Sequence, residues 1–496
     1  MNSITPTRII FVLLAFCLAP ISFAAGHGPA DKVDVIAVYA AKPDRAETNR
    51  VKSLGGETKR EFKNFNMRVI SISANAVSAL ENNPNVRFVA PDRETFGMAL
   101  SLSSAAPTES AAHATAKMPA SGSVNAQYNG YRVGVAIVDS GVGNHMDLSS
   151  SIRQYDFVGG AFPTPRVEAG ELDGYRSDPR SDGLGHGTHV AGILSGSGSA
   201  SNGQHKGAAR SAKLLSLKVL DDDGRGVASD AIAAMDWLLS YGQYFDIDVV
   251  NMSIGKAVEE SNATDPLVIA VEQVWDAGMT VVVAAGNFGR DGNMTITSPG
   301  NARKVITVGS LTDKETGNDF SDDFVSTYSS MGPTLGDHIL KPDLVAPGNR
   351  VTAPISMGAA LKAGLPNRLG KCKDSSGEED YIYCSADYLE LSGTSMATPL
   401  VSATVAMMLD KDPNLTPATI KARLMRSARK IDGDATVTGA GVLDIDAAMN
   451  ETGVMTVPAL SPMMALGTAD DGTYVVLVEP TGYLWSDAEW AAGYLW

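Results

Sequence analysis

Short apolar runs recur along the middle of the chain, and stretches with helical spacing separate them. Helical spacing is seen at Asp230–Leu239 and Pro266–Ala277. The apolar runs have the length of strands and lie at Val133–Val138, Leu214–Leu220, Asp248–Met252, Met279–Ala285 and Val305–Val308. Because these strands are apolar on both faces, the pattern predicts an α/β fold in which helices cover both faces of a parallel sheet. Functional side chains in such a fold gather at the carboxyl ends of the strands.

A smaller α+β unit is predicted ahead of this sheet, over residues 33–95. Val33–Ala40 is an apolar run of strand length, and Met67–Ser73 alternates with the period of two that a strand shows. Ala74–Asn82 suits a short helix that ends before Pro84, and Val86–Ala90 suits a last strand. A helix between two strands is typical of a split βαβ unit.

The rest of the chain divides by composition. Residues 96–125 are dense in Ala, Ser and Thr and show no clear period, which predicts an exposed linker. The predicted sheet then occupies 126–450. Residues 451–496 form an acidic, aromatic tail without Lys or Arg, in which Gly-Tyr-Leu-Trp occurs twice. The tail could dock on the body, pair as a strand or bind at a surface, and the sequence does not choose among these roles.

The first residues have the pattern of a secretion signal. Arg8 precedes the apolar run Ile9–Leu18, Pro20 breaks the run, and Ser22-Phe23-Ala24 offers a small-x-small cleavage site. The run is too short to span a bilayer comfortably, and a buried N-terminal helix is the less favoured alternative. We therefore expect residues 1–24 to be removed and the protein to be secreted, either outside the cell or into a periplasm.

Charge and cysteine content narrow the function classes. Forty Lys and Arg against 56 Asp and Glu give a net charge of −16, which argues against nucleic acid as a partner. Loss of the signal would leave Cys372 and Cys384. In an oxidising compartment these two most simply form a disulfide. A metal site there is disfavoured, because there is no CxxC and no nearby His. No transmembrane segment is predicted beyond the signal.

Three segments carry residues suited to catalysis. Asp139 ends a buried strand, and His186 and His189 share the segment Gly-His-Gly-Thr-His-Val-Ala-Gly. Ser395 precedes an apolar helical run, so it would lie at a helix N-terminus, where free N–H groups stabilise negative charge. Taken singly, Asp139 could cap a turn, the histidines could pack in a core or bind metal, and Ser395 could cap its helix. The G-x-S-x-G pattern is absent, because Ala397 stands two residues after Ser395.

A fourth segment places Asn287 after a buried strand and between glycines, where its amide could point into a cleft or simply form a turn. Together the four segments resemble the subtilisin-like serine peptidases, the subtilases. The chain order Asp139, His186, Asn287, Ser395 is similar to theirs, as are the flanking Asp-Ser-Gly, His-Gly-Thr-His-Val-Ala-Gly, Ala-Ala-Gly-Asn and Gly-Thr-Ser-Met-Ala-Thr-Pro. The resemblance covers about 126–450. It implies a subtilisin-like three-layer fold, preceded over 33–95 by a ferredoxin-like inhibitor prodomain.

The resemblance also implies the roles of these residues. Ser395 would be the nucleophile, His186 its general base, and Asp139 the acid that orients the imidazole. The side-chain amide of Asn287 and the N–H of Ser395 would bind the oxyanion. The enzyme would hydrolyse peptide bonds of protein or peptide substrates.

Substrate contacts and maturation follow from the same resemblance. Ser253 and Gly255 belong to a segment similar to the family's substrate-pairing strand, and Gly255 with Gly286 would leave the specificity pocket open. Phe288 suggests an apolar or mixed preference for the residue before the scissile bond. The prodomain would act as an intramolecular inhibitor, and autocleavage would fall between about Thr95 and Ala120.

Neither a cofactor nor a metal site is predicted, and structural calcium is left open. Asp147 stands eight residues after Asp139, a spacing at which many subtilases have a calcium ligand, but the companion loop 195–202 is rich in Gly and Ser. The run Asp221–Gly224 is read as a solvated turn in preference to a cation cluster. Residues 353–388, which contain both cysteines, resemble an insertion at the rim of the cleft.

Two other functions are compatible with the sequence. A catalytically idle subtilase fold could serve adhesion or partner binding, although all four chemical positions are intact. The same triad could instead perform transpeptidation, for which no sequence feature argues. Labelling by a serine-directed phosphonate would distinguish the first alternative, and the masses of the products from a test peptide would distinguish the second.

Overall fold

The computed structural model describes residues 31–97, 127–165, 167–168, 171–172, 179–313, 320–365, 372–373, 379–380, 388–468 and 474–478. The predicted signal peptide, most of the predicted linker and the repeated Gly-Tyr-Leu-Trp segments lie outside these ranges. Within them, no helix combines the length and the apolar character that crossing a bilayer requires.

The N-terminal unit is a four-stranded antiparallel sheet with two helices. Its elements are β1 (Lys32–Tyr39), α1 (Arg45–Ser53), β2 (Glu57–Glu61), β3 (Met67–Ser73), α2 (Val77–Glu81), β4 (Val86–Pro91) and a further strand β5 (Glu94–Gly97) that leaves the sheet. The sheet order is β2-β3-β1-β4, with β1 paired antiparallel to both β3 and β4. The element order β1-α1-β2-β3-α2-β4 is that of a ferredoxin-like unit, which is consistent with the prediction.

The larger unit is built on an extensive sheet. Its elements, in chain order, are β6 (Gly134–Asp139), β7 (Arg153–Asp156), β8 (Val167–Glu168), β9 (Glu171–Leu172), α3 (His186–Ser195), β10 (Lys213–Lys218), β11 (Arg225–Val227), α4 (Ala228–Tyr241), β12 (Ile247–Met252), β13 (Ile254–Gly255), α5 (Pro266–Asp276), β14 (Thr280–Ala284), β15 (Ile306–Thr312), β16 (Phe324–Val325), β17 (Leu344–Pro347), β18 (Val351–Pro354), α6 (Ala360–Gly364), β19 (Cys372–Lys373), β20 (Glu379–Asp380), β21 (Tyr388–Leu391), α7 (Thr394–Lys411), α8 (Pro417–Ser427), α9 (Ala435–Thr438), α10 (Ile445–Asn450), β22 (Met464–Thr468) and β23 (Tyr474–Val478).

Eight strands form the central sheet, in the order β16-β15-β14-β12-β6-β10-β7 with β17 also paired to β15. All of these pairings are parallel except that of the short edge strand β16. Helices α3 and α7 form one packed pair and α4 and α5 another. Strand β6 is an interior strand between β12 and β10, and every one of its residues is buried. The predicted α/β fold with a parallel central sheet is confirmed.

The strands that the sequence predicted are rich in apolar residues, whereas β2, which it did not predict, is polar. Predicted runs such as Val133–Val138 and Met67–Ser73 agree with β6 and β3 to within about one residue. Helix α1 and strand β2 were not predicted, because β2 (Glu57–Glu61) contains no large apolar residue and pairs through its backbone with β3. Helix α1 begins instead at a polar cap, in which the Asp44 carboxylate accepts from the N–H groups of Ala46 and Glu47.

The two units are held together through helix α4. The Asp236 carboxylate accepts from the N–H groups of Lys63 and Asn64 at 2.7 and 2.6 Å. Asp230 pairs with Arg60 at 3.0 Å, and both side chains are nearly buried. The N-terminal unit is therefore fastened by charge-assisted bonds to the start and middle of one helix.

Strand β5 makes a second connection between the units. It pairs antiparallel with β11 and β13, which belong to the larger unit, and forms a three-stranded sheet with them. It also crosses the predicted boundary at 95/96, so the linker prediction fails for residues 96 and 97.

The start of the C-terminal tail docks on the body. Met455 and Ser461 are buried, and Leu340 donates from its N–H to the carbonyl of Pro462 at 2.8 Å. Strands β22 and β23 then pair antiparallel as a hairpin. Of the three roles left open for the tail, docking and strand pairing are both found for its described part.

A buried charge cluster joins the tail to the body. Lys341, Asp343 and Lys421 are completely buried, and Asp343 pairs with the two ammonium groups at 2.7 and 3.1 Å. Lys421 also donates to Ser461 Oγ at 2.8 Å and to the carbonyl of Val305 at 3.0 Å. Burial lowers the pKa of Lys421 to about 7, against the raising effect of Asp343. Burial is the largest cause of this direction, and the charge of Lys341 adds to it, because one carboxylate cannot neutralise two buried ammonium groups.

The Lys421 pKa predicts how stability depends on pH. The unfolded state keeps this amine protonated up to about pH 10, whereas the folded state releases the proton above pH 7. Unfolding then takes up a proton, so the free energy of unfolding should rise between pH 7 and pH 10, by up to about 1 kcal/mol per pH unit. Guanidinium unfolding of the full chain carrying Ser395→Ala would measure this slope.

The matched controls for this measurement are two lysine substitutions. Lys421→Met should reduce the slope, whereas Lys59→Met, at a half-exposed ion pair, should leave it unchanged. An identical slope in Lys421→Met and the parent would contradict the assignment of the proton to Lys421.

Candidate active site

The candidate residues lie at one edge of the central sheet. Asp139 is the last residue of β6, and Asn287 follows β14 by three residues. Ser253 stands between β12 and β13. His186 begins α3 and Ser395 is the second residue of α7, and these two helices pack together. The parallel topology thus brings strand ends and helix starts to a single edge.

Asp139 and His186 are joined by a short hydrogen bond in a dry environment. His186 Nδ1 donates to Asp139 Oδ1 at 2.7 Å, and both side chains have zero exposure. The same carboxylate oxygen accepts from the N–H of Ser140 at 2.7 Å. This arrangement selects the tautomer in which Nδ1 carries the proton and leaves Nε2 as the basic atom.

The electrostatic environment favours the imidazolium form of His186. Burial lowers the pKa of His186, but the charge and the hydrogen bond of Asp139 raise it, and the net direction is upward. Asp182 adds a smaller raising effect. Among the described residues, His186 Nε2 has no hydrogen-bond partner. A base with a raised pKa and an unengaged nitrogen suits proton transfer.

Ser395 lies in the first turn of α7, whose N–H groups have no acceptor within the helix. Its hydroxyl donates to the carbonyl of Ser253 at 3.2 Å. In return, Ser253 Oγ donates to the carbonyl of Ser395 at 3.2 Å. In the structure the Ser395 hydroxyl is therefore bonded to the Ser253 carbonyl.

Asn287 is fixed against the same helix. Its Oδ1 accepts from the N–H of Thr394 at 2.9 Å and from Thr394 Oγ1 at 3.1 Å. The hydroxyl oxygen of Thr394 accepts in turn from the N–H of Gly286 at 3.2 Å. Because the carboxamide oxygen faces Thr394, the amide nitrogen is directed away from it. Asn287 is thus held at the start of α7, the helix that carries Ser395, which is compatible with the oxyanion role that the resemblance implies.

The predicted substrate-contacting segment is already paired with a strand. Gly255 pairs with Phe96 and Ile254 with Gly97, both in β5. A Cβ built on Gly97 would lie 3.6 Å from His186 Nδ1, so β5 passes directly beside the imidazole. Gly286 has φ +114°. A Cβ there would lie 2.6 Å from Ser330 Oγ. The positive φ and this close contact both require a glycine at position 286.

Comparisons with known proteins identify the family of this chain. The model of the subtilase family matches residues 130–443. The chain belongs to the subtilase family. Its enzyme class is accordingly that of the subtilisin-like serine peptidases.

Individual relatives cover different parts of the chain. It is 36% identical to serine protease AprX of Bacillus subtilis over 64% of this chain and 66% of AprX. It is 30% identical to subtilisin DY of Bacillus licheniformis over 65% of this chain and 92% of that protein. The crystal structure of fervidolysin from Fervidobacterium pennivorans, described as a keratinolytic enzyme related to subtilisin, covers 91% of this chain and 68% of its own, with a TM-score of 0.62 and 20% identity. The last similarity concerns the fold alone.

The second histidine of the motif, His189, forms hydrogen bonds that connect elements of the fold. His189 Nε2 donates to the carbonyls of Leu389 and Val351 at 2.9 and 3.1 Å. Burial lowers the pKa of His189 to about 3. A neutral imidazole tied to two carbonyls joins α3 to the β18–β21 pair. No group of three His, Cys, Asp or Glu suited to a metal is found among the described residues.

Asp147, the position considered for calcium, is occupied by protein donors. Its Oδ1 accepts from the N–H of Ala200 at 2.8 Å, and its Oδ2 accepts from the hydroxyl of Tyr388. The acidic run behaves as a turn: Asp221 Oδ1 accepts from the N–H groups of Asp223 and Arg225, both at 2.9 Å. Neither arrangement presents a carboxylate cluster to a cation.

One functional position was missed in the sequence. Asp182 is buried and accepts from Ser140 Oγ at 2.8 Å and from the N–H groups of Gly185 and Thr188 at 2.7 and 2.8 Å. It therefore caps the helix that begins at His186 and reaches, through Ser140, the same network as Asp139. An acid placed four residues before the histidine was the available signal.

The predicted insertion contacts the loop that leads to His186. The N–H groups of Ala360 and Leu361 donate to the carbonyls of Gly183 and Leu184 at 2.8 and 3.1 Å. The predicted disulfide stays a prediction, because Cys384 lies outside the described residues. The described part of the insertion thus supports one wall of the candidate site.

The two acids near His186 should differ in their effect on its pKa. Asp139→Asn removes the adjacent charge, so the pKa of His186 should fall. Asp182→Asn, the matched control, should lower it less. Nitrogen-15 NMR titration of both variants in a Ser395→Ala background would measure the difference. Equal shifts in the two variants would contradict the ranking of the two carboxylates.

Proposed function

We propose that this protein is a secreted serine endopeptidase, made as an autoprocessed zymogen, that hydrolyses peptide bonds with Ser395, His186 and Asp139. The observation that carries the proposal is the fully buried bond of 2.7 Å between His186 Nδ1 and Asp139 Oδ1, beside the helix start that holds Ser395. Family membership supports the chemistry, and the arrangement of donors supports the assignment of each role.

Acylation begins with the serine hydroxyl. Ser395 Oγ rotates from the Ser253 carbonyl toward His186 Nε2, which removes its proton as Oγ attacks the substrate carbonyl carbon. The imidazolium formed is stabilised by Asp139 in a fully buried site, where charge interactions are stronger than at the surface. Collapse of the tetrahedral intermediate breaks the C–N bond, and His186 returns the proton to the leaving amine. Water then attacks the acyl-enzyme by the same proton route and releases Ser395.

The oxyanion is bound by the Asn287 amide and the Ser395 N–H. Both donors are rigid before the substrate arrives, because Thr394 fixes the Asn287 carboxamide and α7 fixes the Ser395 backbone. Preorganised donors stabilise the transition state without reorganisation at the moment of reaction. Helix α7 adds the positive end of its dipole.

Residues 33–95 act as an inhibitor prodomain in this proposal. The bonds from Asp236 to the N-terminal backbone and the ion pair of Asp230 with Arg60 support a stable complex between the two units. Strand β5 lies beside His186, where it excludes another peptide from the same edges. Secretion is supported by the pattern of residues 1–24, and the expected disulfide between Cys372 and Cys384 is compatible with it.

The nucleophile can be tested by labelling and by maturation. A fluorophosphonate should label the wild-type chain on Ser395, and Ser395→Ala should remain unlabelled and accumulate as an uncut precursor of higher mass. Because Gly97 lies beside His186, we expect the wild-type cut near the start of the range from Thr95 to Ala120. Intact-mass spectrometry of the secreted product would measure both. Normal maturation of Ser395→Ala would mean cleavage by another enzyme, and labelling of that variant would exclude Ser395 as the nucleophile.

The oxyanion assignment predicts a selective loss of turnover. Asn287→Ala should lower kcat by about 10²–10³-fold with little change in KM, the size found on removal of such an asparagine from a subtilisin. Peptide hydrolysis at saturating substrate would measure it. Asn293→Ala, at an exposed asparagine a few residues further on, should leave kcat unchanged. Unchanged kcat in Asn287→Ala would refute the role.

A further inference from the structure

Strand β5 occupies the cleft as an extended peptide would. Thr95 and Phe96 pair with Gly226 and Arg225 of β11 on one side, and Phe96 and Gly97 pair with β13 on the other. The N–H of Gly97 also donates to the carbonyl of Gly224 at 3.2 Å. Two edge strands of the peptidase unit thus hold one strand by its backbone, which is the general mode of strand addition.

The register of β5 relates each of its residues to the nucleophile. Gly97 faces Ile254, and Phe96 faces Gly255. The residue of a substrate that comes next in this register would face Ser253, whose carbonyl accepts from Ser395 Oγ. That residue would carry the scissile carbonyl. Gly97 then represents the second residue before the scissile bond, Phe96 the third and Thr95 the fourth.

Phe96 is recognised by an aromatic residue of the cleft. Its ring lies 5.9 Å from the ring of Phe288, at an interplanar angle of 80°. Phe288 is 39% exposed even with Phe96 in contact, so its ring is presented at the surface of the cleft. An edge-to-face geometry at this separation is the favourable one for two aromatic rings.

The turn that carries Phe288 is fixed. Its N–H donates to Ser330 Oγ at 3.1 Å, and the N–H of Gly289 donates to the carbonyl of Tyr328 at 2.8 Å. Asn287, immediately before it, is held by Thr394. Because these hydrogen bonds fix the backbone on both sides of Phe288, substrate binding need not order this turn, and little conformational entropy is lost there.

The other two positions of β5 offer less room. Thr95 is completely buried, and its hydroxyl lies 3.0 Å from a Cβ built on Gly226. A Cβ on Gly97 would contact Leu220 and His186 at 3.4 and 3.6 Å. The neighbours of Thr95 and Gly97 limit the size of a substrate side chain at the fourth and second positions. At the third position, the ring of Phe288 can bind a large apolar ring.

We infer that Phe288 is a specificity-determining residue that selects substrates with an aromatic side chain at the third position before the scissile bond. The inference rests on the proposed function, because it assumes that Ser395 attacks the residue facing Ser253. It also reassigns Phe288, which the sequence alone associated with the residue adjacent to the bond.

The test compares peptides that differ at one position. Internally quenched peptides with Thr at the fourth position, Gly at the second and Met at the first would carry Phe or Ala at the third. For the matured wild-type enzyme, kcat/KM should be about 2- to 12-fold higher for the Phe peptide, the range that one aromatic pair supplies. In Phe288→Ala this ratio should fall to about 1, and in Phe288→Tyr it should be retained.

The control removes an aromatic residue elsewhere. Tyr131 is exposed, and its N–H bonds to Asp410, near the far end of α7 from Ser395 and about 22 Å away by helix rise. Tyr131→Ala should keep both rates and their ratio. Mass analysis of the products would verify that every peptide is cut at the intended bond.

Each outcome decides the inference. A ratio near 1 in the wild type, or a wild-type ratio retained in Phe288→Ala, would overturn it while leaving the peptidase assignment intact. Cleavage at a different bond would overturn the register. Absence of cleavage of any peptide, together with absence of fluorophosphonate labelling, would overturn the proposed function and the inference with it.

Discussion

A carboxylate removed completely from water needs hydrogen-bond donors, and the structure around Asp139 supplies them to Oδ1, whereas Oδ2 has no partner among the described residues. The strand that ends at Asp139 is an interior strand of the sheet, flanked by β12 and β10, and the Asp139 side chain is completely buried. His186 and Ser140 supply the donors. Helix α3 can approach closely enough only because Gly187 lacks a side chain: a Cβ there would lie 2.0 Å from the carbonyl of Gly141. The position of the imidazole follows from this contact.

The cleft beside that imidazole is bordered by two short strands whose outer edges need partners. Strands β11 and β13 would expose unpaired backbone groups if β5 were absent, and such edges readily accept another strand. The same backbone groups can therefore hold the N-terminal unit or a substrate, but not both. Carboxylates of helix α4 fasten the N-terminal unit from outside the cleft. Inhibition and substrate recognition in our proposal consequently depend on one set of hydrogen bonds.

The agreement between sequence and structure depends on where each element obtains its stability. Strands β6 and β14 are continuous apolar runs, so burial of their own side chains identifies them. Strand β2 has only polar residues and β5 is mixed, and both exist because a neighbouring strand supplies hydrogen bonds. The catalytic candidates were readable as motifs, since each chemical group is surrounded by the small residues that close packing requires. Asp182 also has small neighbours, Ser181 and Gly183, but it lies outside the four motifs that carry the resemblance and was overlooked.

The sequence by itself determined the fold class, the family resemblance and the identity of the candidate hydroxyl, imidazole, carboxylate and amide, because periodicity and residue type are properties of the chain. It could not determine which groups touch. The hydroxyl of Ser395 donates to the carbonyl of Ser253, and the ring of Phe288 contacts the ring of Phe96 in β5. The carboxylate of Asp147 accepts from the hydroxyl of Tyr388. These contacts join residues far apart in the chain, and only the packing of helices and strand ends at one edge of the sheet brings them within bonding distance.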